Sequence, residues 1–99
     1  MTYTVLITDP ALDELNEAYD WLLERTPQHA PIWFNRIVDA MLSLDTNPAR
    51  CPLVGKPVEG EREVRQLLYG DKSHAYRILF NIRGPNVHVL HIRHASREF

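Results

Sequence analysis

The stretch YRILFNIRGPNVHVLHIRH, residues 76–94, decides the fold. Two runs rich in β-branched and aromatic residues flank Gly84-Pro85-Asn86, so the segment reads as a β-hairpin. In the first run Tyr76, Ile78, Phe80 and Ile82 alternate with Arg77, Leu79, Asn81 and Arg83. Successive strand side chains point to opposite faces, so the wholly apolar set must face the core. A three-residue turn sets Phe80 opposite Leu90 and Ile78 opposite Ile92; a two-residue turn sets Ile78 opposite His91 and Arg77 opposite Ile92. Register follows the hydrophobic pattern where one face is buried, so the three-residue turn is expected. Arg77 then lies opposite Arg93. Like charges across a ladder are destabilising. An acidic side chain or an anionic ligand is expected between them, unless they diverge into solvent or meet Glu63 or Asp71.

Working back from the hairpin, Val64 to Tyr69 reads as the preceding strand, and Tyr3 to Ile7 as a first one. Arg65 is placed by parity with Arg77 and Arg93, sharing a face with Leu67, Leu79 and Val89. Between the first two strands lie two helices. Asp9-Pro10 supplies an N-cap and a proline at the first helical position, and Leu12, Leu15, Ala18, Tyr19 and Leu22 recur at helical spacing. Asp13, Glu14, Glu17, Asp20 and Glu24 fill the other faces. A second helix begins near Pro31, with Phe34, Ile37, Val38, Met41 and Leu44 as its apolar stripe. About four residues separate the two, which predicts an antiparallel helical hairpin. Asn47 to Gly60 reads as a loop. The expected fold is α+β, in the order β-α-α-β-β-β: an antiparallel sheet with the hairpin packed on one face, leaving the other face exposed for a partner.

Ninety-nine residues suit one domain, residues 1–99. No apolar run approaches the roughly 20 residues of a membrane span, and MTYTVLITDP resembles no signal peptide. Cys51 stands alone, so a reducing cytoplasm is the natural compartment. Net charge is −2, which argues against wholesale nucleic-acid binding, yet it is polarised. Residues 1–59 carry four basic and nine acidic side chains, a balance of −5; residues 60–99 carry seven and four, a balance of +3, with four of the five histidines. The basic candidates gather in the final strands: Arg65, Arg77, Arg93, His94 and Arg97. His94 falls near Tyr76 at the sheet edge and is a candidate general acid or base. Trp21 and Trp33 read as core aromatics, with a second docking surface on the helices as the alternative.

The runs VRQLLYG (64–70), YRILF (76–80) and VLHIRHASRE (89–98), behind a β-α-α start, resemble the RelE/ParE superfamily of bacterial toxins along nearly the whole chain. These are the toxin halves of type II toxin–antitoxin modules, often described as plasmid stabilisation proteins. The resemblance implies a growth inhibitor held inactive by a cognate antitoxin, contacting operator DNA only through that complex. It implies one of two activities: cleavage of messenger RNA on the ribosome without a metal or cofactor, or inhibition of DNA gyrase without nuclease activity. A toxin fold kept only as a binding module is the third alternative. By resemblance Arg77 matches the family's active-site arginine, Arg97 a second functional arginine, and Arg65 lies near a basic residue of the preceding strand. His94 matches a histidine used as acid or base by some members. The lysine pair of RelE-like enzymes is missing, with Leu67 at the second position, and their C-terminal tyrosine has no counterpart. RNA cleavage is slightly favoured because Arg77, His94 and Arg97 fall at one end of the sheet, with Arg65 and Arg93 as RNA or partner contacts.

Overall fold

The computed structural model describes residues 2–55, 58, 60–70 and 75–95. Arg97 and His74 lie outside the described residues. The elements are β1 (Thr4–Ile7), α1 (Asp9–Arg25), α2 (Ala30–Leu42), β2 (Arg65–Tyr69), β3 (Tyr76–Arg83) and β4 (Asn86–His94), with two short 3-10 turns after α2. Four strands form one sheet in the order β1-β4-β3-β2. The expected α+β fold is present, and the sheet is largely antiparallel: β2·β3 and β3·β4 are antiparallel, while β1 joins β4 in parallel. A helical hairpin between β1 and the rest lets the first strand return beside the last one, which local sequence patterning does not encode.

Helix α1 starts one residue earlier than Asp9-Pro10 suggested. Thr8 is the N-cap: its Oγ1 accepts from Ala11 N at 3.4 Å and donates to Val89 O at 2.8 Å. One hydroxyl therefore begins the helix and ties it to β4 where β1 ends. Asp9 sits instead in the first turn, where its carboxylate complements the helix dipole. The buried positions of α1 are Ala11 and Leu15, whereas Leu12 is exposed. Helix α2 buries Ala30, Ile37 and Met41, and Leu44 continues its stripe into the first 3-10 turn. The rings of Tyr19 and Phe34, 5.0 Å apart, join the two helices.

The main core lies between the helices and the sheet. Ile78, Phe80, Val87, Val89 and Ile92 meet Leu15, Ile37, Met41 and Leu44 there, with Leu67 and Tyr69 packed against them. Val89 and Leu67 thus lie on the helix side, not beside Arg77 as parity alone indicated.

The cause is a bulge. Near the turn the pairs are Arg83↔Asn86, Ile82↔Val87 and Phe80↔Val89, so the connection is the two-residue loop Gly84-Pro85. Gly84 takes φ +57 and is followed by proline, the φ signs of a type II′ hairpin turn. Leu90 is then an extra residue, and beyond it the pairs are Leu79↔His91, Ile78↔Ile92 and Arg77↔Arg93. The expected Phe80↔Leu90 pair is replaced by Phe80↔Val89, while Ile78↔Ile92 and Arg77↔Arg93 form as expected. One bulge satisfies both halves of β4: Val87, Val89 and Ile92 all face the helices, and Leu90 turns to the other side.

That other side is not bare. Leu79 and Leu90 are buried there with Val64, and Val54 and Val58 pack on them. Val54 N donates to Val64 O and Gln66 N to Pro52 O, which ties Pro52 and Val54 to the start of β2. Glu61 adds a polar clamp, accepting from Asn81 Nδ2 at 3.1 Å and Arg83 at 2.6 Å. The expectation of a wholly exposed apolar face therefore fails. Leu79 and Leu90 need cover, and the Pro-rich segment supplies it.

Candidate functional site

Among the described residues no strand pairs with the outer edge of β4 beyond Val89, because β1 stops at Ile7. Helix α1 passes along this open edge and supplies Glu14. The Glu14 carboxylate accepts from Ile92 N at 3.1 Å, pairs with Arg93 Nε at 3.1 Å and meets His91 Nδ1 at 3.0 Å. It satisfies a backbone donor that the missing strand would have taken, and it supplies the negative charge required by Arg77 opposite Arg93. The acid comes from a helix, not from Glu63. Arg93 also lies 3.3 Å from His91 Nδ1. Arg77 donates to Ala95 O at 3.1 Å, which holds its guanidinium toward the end of the hairpin.

Glu14 is the site residue that sequence reasoning missed. It lay among six carboxylates on α1, and nothing in helical spacing separates a carboxylate beside a sheet edge from one in water. The usable signal was indirect: the Arg77·Arg93 pair needed an acid. We expect Glu14→Gln to lower stability by about 2 kcal/mol, since charge-assisted hydrogen bonds are worth roughly 1.5–3 kcal/mol and solvent reaches part of this cluster. For a domain of this size that is about 10 °C in Tm. Adding Arg93→Met to Glu14→Gln should recover part of the loss. A Glu14→Gln protein melting with the parent would show that the cluster contributes nothing.

Next to this cluster, Tyr76 pairs with His94 in the ladder, and their rings meet edge-on with centroids 5.2 Å apart. Trp33 packs on the far side of Tyr76, also at 5.2 Å. The aromatic row closes one side of a groove of roughly 560 Å³ between α1, α2 and the end of β4. Its lining includes Glu14, Glu17, Trp21, Trp33, Arg93 and His94. Trp21 is 51% exposed, with the Arg25 guanidinium 3.9 Å over its ring, so it is no core residue.

The structure thus places Arg77, Arg93 and His94 at one end of the hairpin, with His94 on the helix side beside Tyr76 and the two arginines on the other face, and separates Arg65 from them. Arg65 pairs with Phe80 and so shares the helix-side parity. Its guanidinium donates to Cys51 O at 2.7 Å and Ala49 O at 3.3 Å, anchoring the segment that follows the second 3-10 turn. Arg65 is spent on loop carbonyls. Beside the aromatic groove lie His94 and the Arg93–Glu14 pair, while Arg77 stands on the opposite face of the hairpin end.

A two-helix hairpin on a four-stranded sheet, carrying arginines at the end of the final hairpin, is the architecture that the resemblance to small toxins of toxin–antitoxin modules implies. The sequence pattern of the family described as ParE toxin of type II toxin-antitoxin system, parDE, matches residues 5–99. The chain is also similar to Toxin RelE1 of Caulobacter vibrioides, 34% identical over 98 residues that cover 99% of each chain. Among solved structures it is similar to the chromosomal ParDE system of P. aeruginosa, with a TM-score of 0.77, 20% identity, and coverage of 96% of this chain and 98% of that one. The chain therefore belongs to the RelE/ParE superfamily of type II toxin–antitoxin toxins. No helix among the described residues is long and apolar enough to cross a membrane.

Proposed function

We propose that this chain arrests growth when freed from a cognate antitoxin, and that it does so by cleaving messenger RNA without a metal. The observation that supports this reading is that Arg77, Arg93 and His94 all lie at one end of the β3–β4 hairpin, the two arginines on one face and His94 on the other. In the proposed reaction the ribose 2′-oxygen attacks the adjacent phosphorus and the 5′-oxygen leaves, giving a cyclic phosphate and a free 5′-hydroxyl. His94 moves the proton, and the guanidiniums stabilise the charge that builds on the phosphoryl oxygens. Arg97 is proposed as a second phosphate contact.

A specific observation favours a second reading, inhibition of DNA gyrase. Glu14 already neutralises Arg93, and the whole chain is acidic at −2, which suits a protein surface better than a polyanion. The test is pulse-labelling of protein and DNA synthesis in a bacterial host, minutes after induction of this chain alone. Protein synthesis is expected to fall first. An earlier fall in DNA synthesis replaces RNA cleavage by gyrase inhibition. Growth that continues with a folded, expressed product removes the toxin activity itself.

A further inference from the structure

We propose that the groove between α1, α2 and the end of β4 receives an arginine side chain presented by a partner protein. The groove has a volume of roughly 560 Å³, room for a guanidinium, its methylene stem and part of the backbone that carries it. Three aromatic side chains line it: Trp21 and Trp33 from the helices and Tyr76 from β3. The faces of such rings carry partial negative charge and attract a nearby cation, indole most strongly. Trp21 already shows this preference, with the Arg25 guanidinium 3.9 Å over its ring. Arg25 itself does not line the groove.

The charges of the lining select a cation. Arg93 and Glu14 pair at 3.1 Å and cancel. Both oxygens of Glu14 are committed, Oε1 to Ile92 N and His91 and Oε2 to Arg93. Glu17 also lines the groove, is exposed, and makes no hydrogen bond or ion pair among the described residues. It is the carboxylate left to receive a cation. Helix α1 as a whole carries six carboxylates against Arg25, a balance of −5, so the field over this wall is negative as well. A phosphate or an acidic segment would be repelled by Glu17, with Arg93 already neutralised. An apolar side chain would fill the aromatic part but strip water from an unpaired carboxylate. A guanidinium satisfies both features: its plane stacks on an indole while its edge N–H groups donate to the carboxylate, a geometry that a lysine ammonium lacks. The proposal holds for either cellular target, since it concerns the helix-side groove and not Arg77.

The chain has two tryptophans, and both line the groove, so their indole N–H resonances report on it directly. The experiment titrates the purified chain with Nα-acetyl-arginine amide. The citrulline derivative serves as a neutral probe of the same shape, the leucine derivative as an apolar probe and the lysine derivative as a cation without the planar fork. The arginine probe is expected to shift both indole signals saturably, with a Kd on the order of 10 mM, about the strength of a lone cation–π and carboxylate contact. Glu17→Gln should weaken binding about fivefold, and Trp21→Leu by a similar factor. Both side chains are exposed, so Tm should change little in either variant. Absence of a saturable shift overturns the proposal, as does a citrulline, leucine or lysine derivative that binds as strongly as arginine. Parent affinity in Glu17→Gln removes the charge selection and overturns it too.

Discussion

Arg77→Ala is expected to abolish growth arrest while the protein stays folded. Arg77 lies on β3 directly opposite Arg93, and its guanidinium is held by Ala95 O at 3.1 Å. Removing one preorganised donor from a site that stabilises a developing oxyanion typically costs about 10²–10³ in rate. A loss of that size in RNA cleavage ends toxicity at ordinary expression. The hydrogen bond to the Ala95 carbonyl is worth about 1 kcal/mol, and its loss is offset by relief of the charge facing Arg93. The check is growth after induction together with a melting curve. Loss of arrest with Tm within a few degrees of the parent supports the site. Full toxicity at an unchanged Tm removes Arg77 from it.

Phe80→Ala gives the opposite pattern. Phe80 is fully buried in β3, paired on one side with Val89 and on the other with Arg65, and it faces the helices from the middle of the sheet. Phenylalanine-to-alanine changes in cores cost about 3–5 kcal/mol, because the lost transfer energy is joined by an unfilled cavity. Domains of this kind have only about 5–15 kcal/mol in total. Tm should therefore drop by at least about 12 °C, as followed by circular dichroism. Toxicity would fall with it, but through loss of folded protein. A loss below about 1 kcal/mol would mean that the helices do not pack on this face as described. Together the two variants separate chemistry from stability: Arg77→Ala should lose arrest without melting, and Phe80→Ala should lose it by melting.

Glu14, Leu90 and Arg65 show where legibility ends. Arg77 opposite Arg93 was readable from alternation, because apolar residues in facing strands had to meet. The same rule, applied along all of β4, placed Leu90 opposite Phe80, and the bulge overturned that. Apolar patterning in β4 changes phase between Val89 and Ile92, and a uniform register could not put both on the helix side. A phase change of that kind is the sequence trace of a bulge. Arg65 was assigned by parity to the arginine face, but β2 pairs with β3 in a register that puts it with Phe80. Trp21 was expected in the core and lies on the surface, because α1 buries Ala11 and Leu15 instead of a continuous stripe.

The sequence by itself determined the elements, their order and the Ile78–Ile92 and Arg77–Arg93 pairs of the final hairpin, since helix and strand periods are properties of the backbone over a few residues. Tertiary structure alone decided the parallel return of β1, the segment laid over Leu79 and Leu90, and the Glu14 clip on His91 and Arg93. Glu14 and His91 are 77 positions apart. Contacts at that separation arise only when packed layers bring an open strand edge and a helix carboxylate together. Which of six carboxylates on α1 meets that edge is then decided by the helix's rotation on the sheet, which its buried residues set through the packing of the whole core.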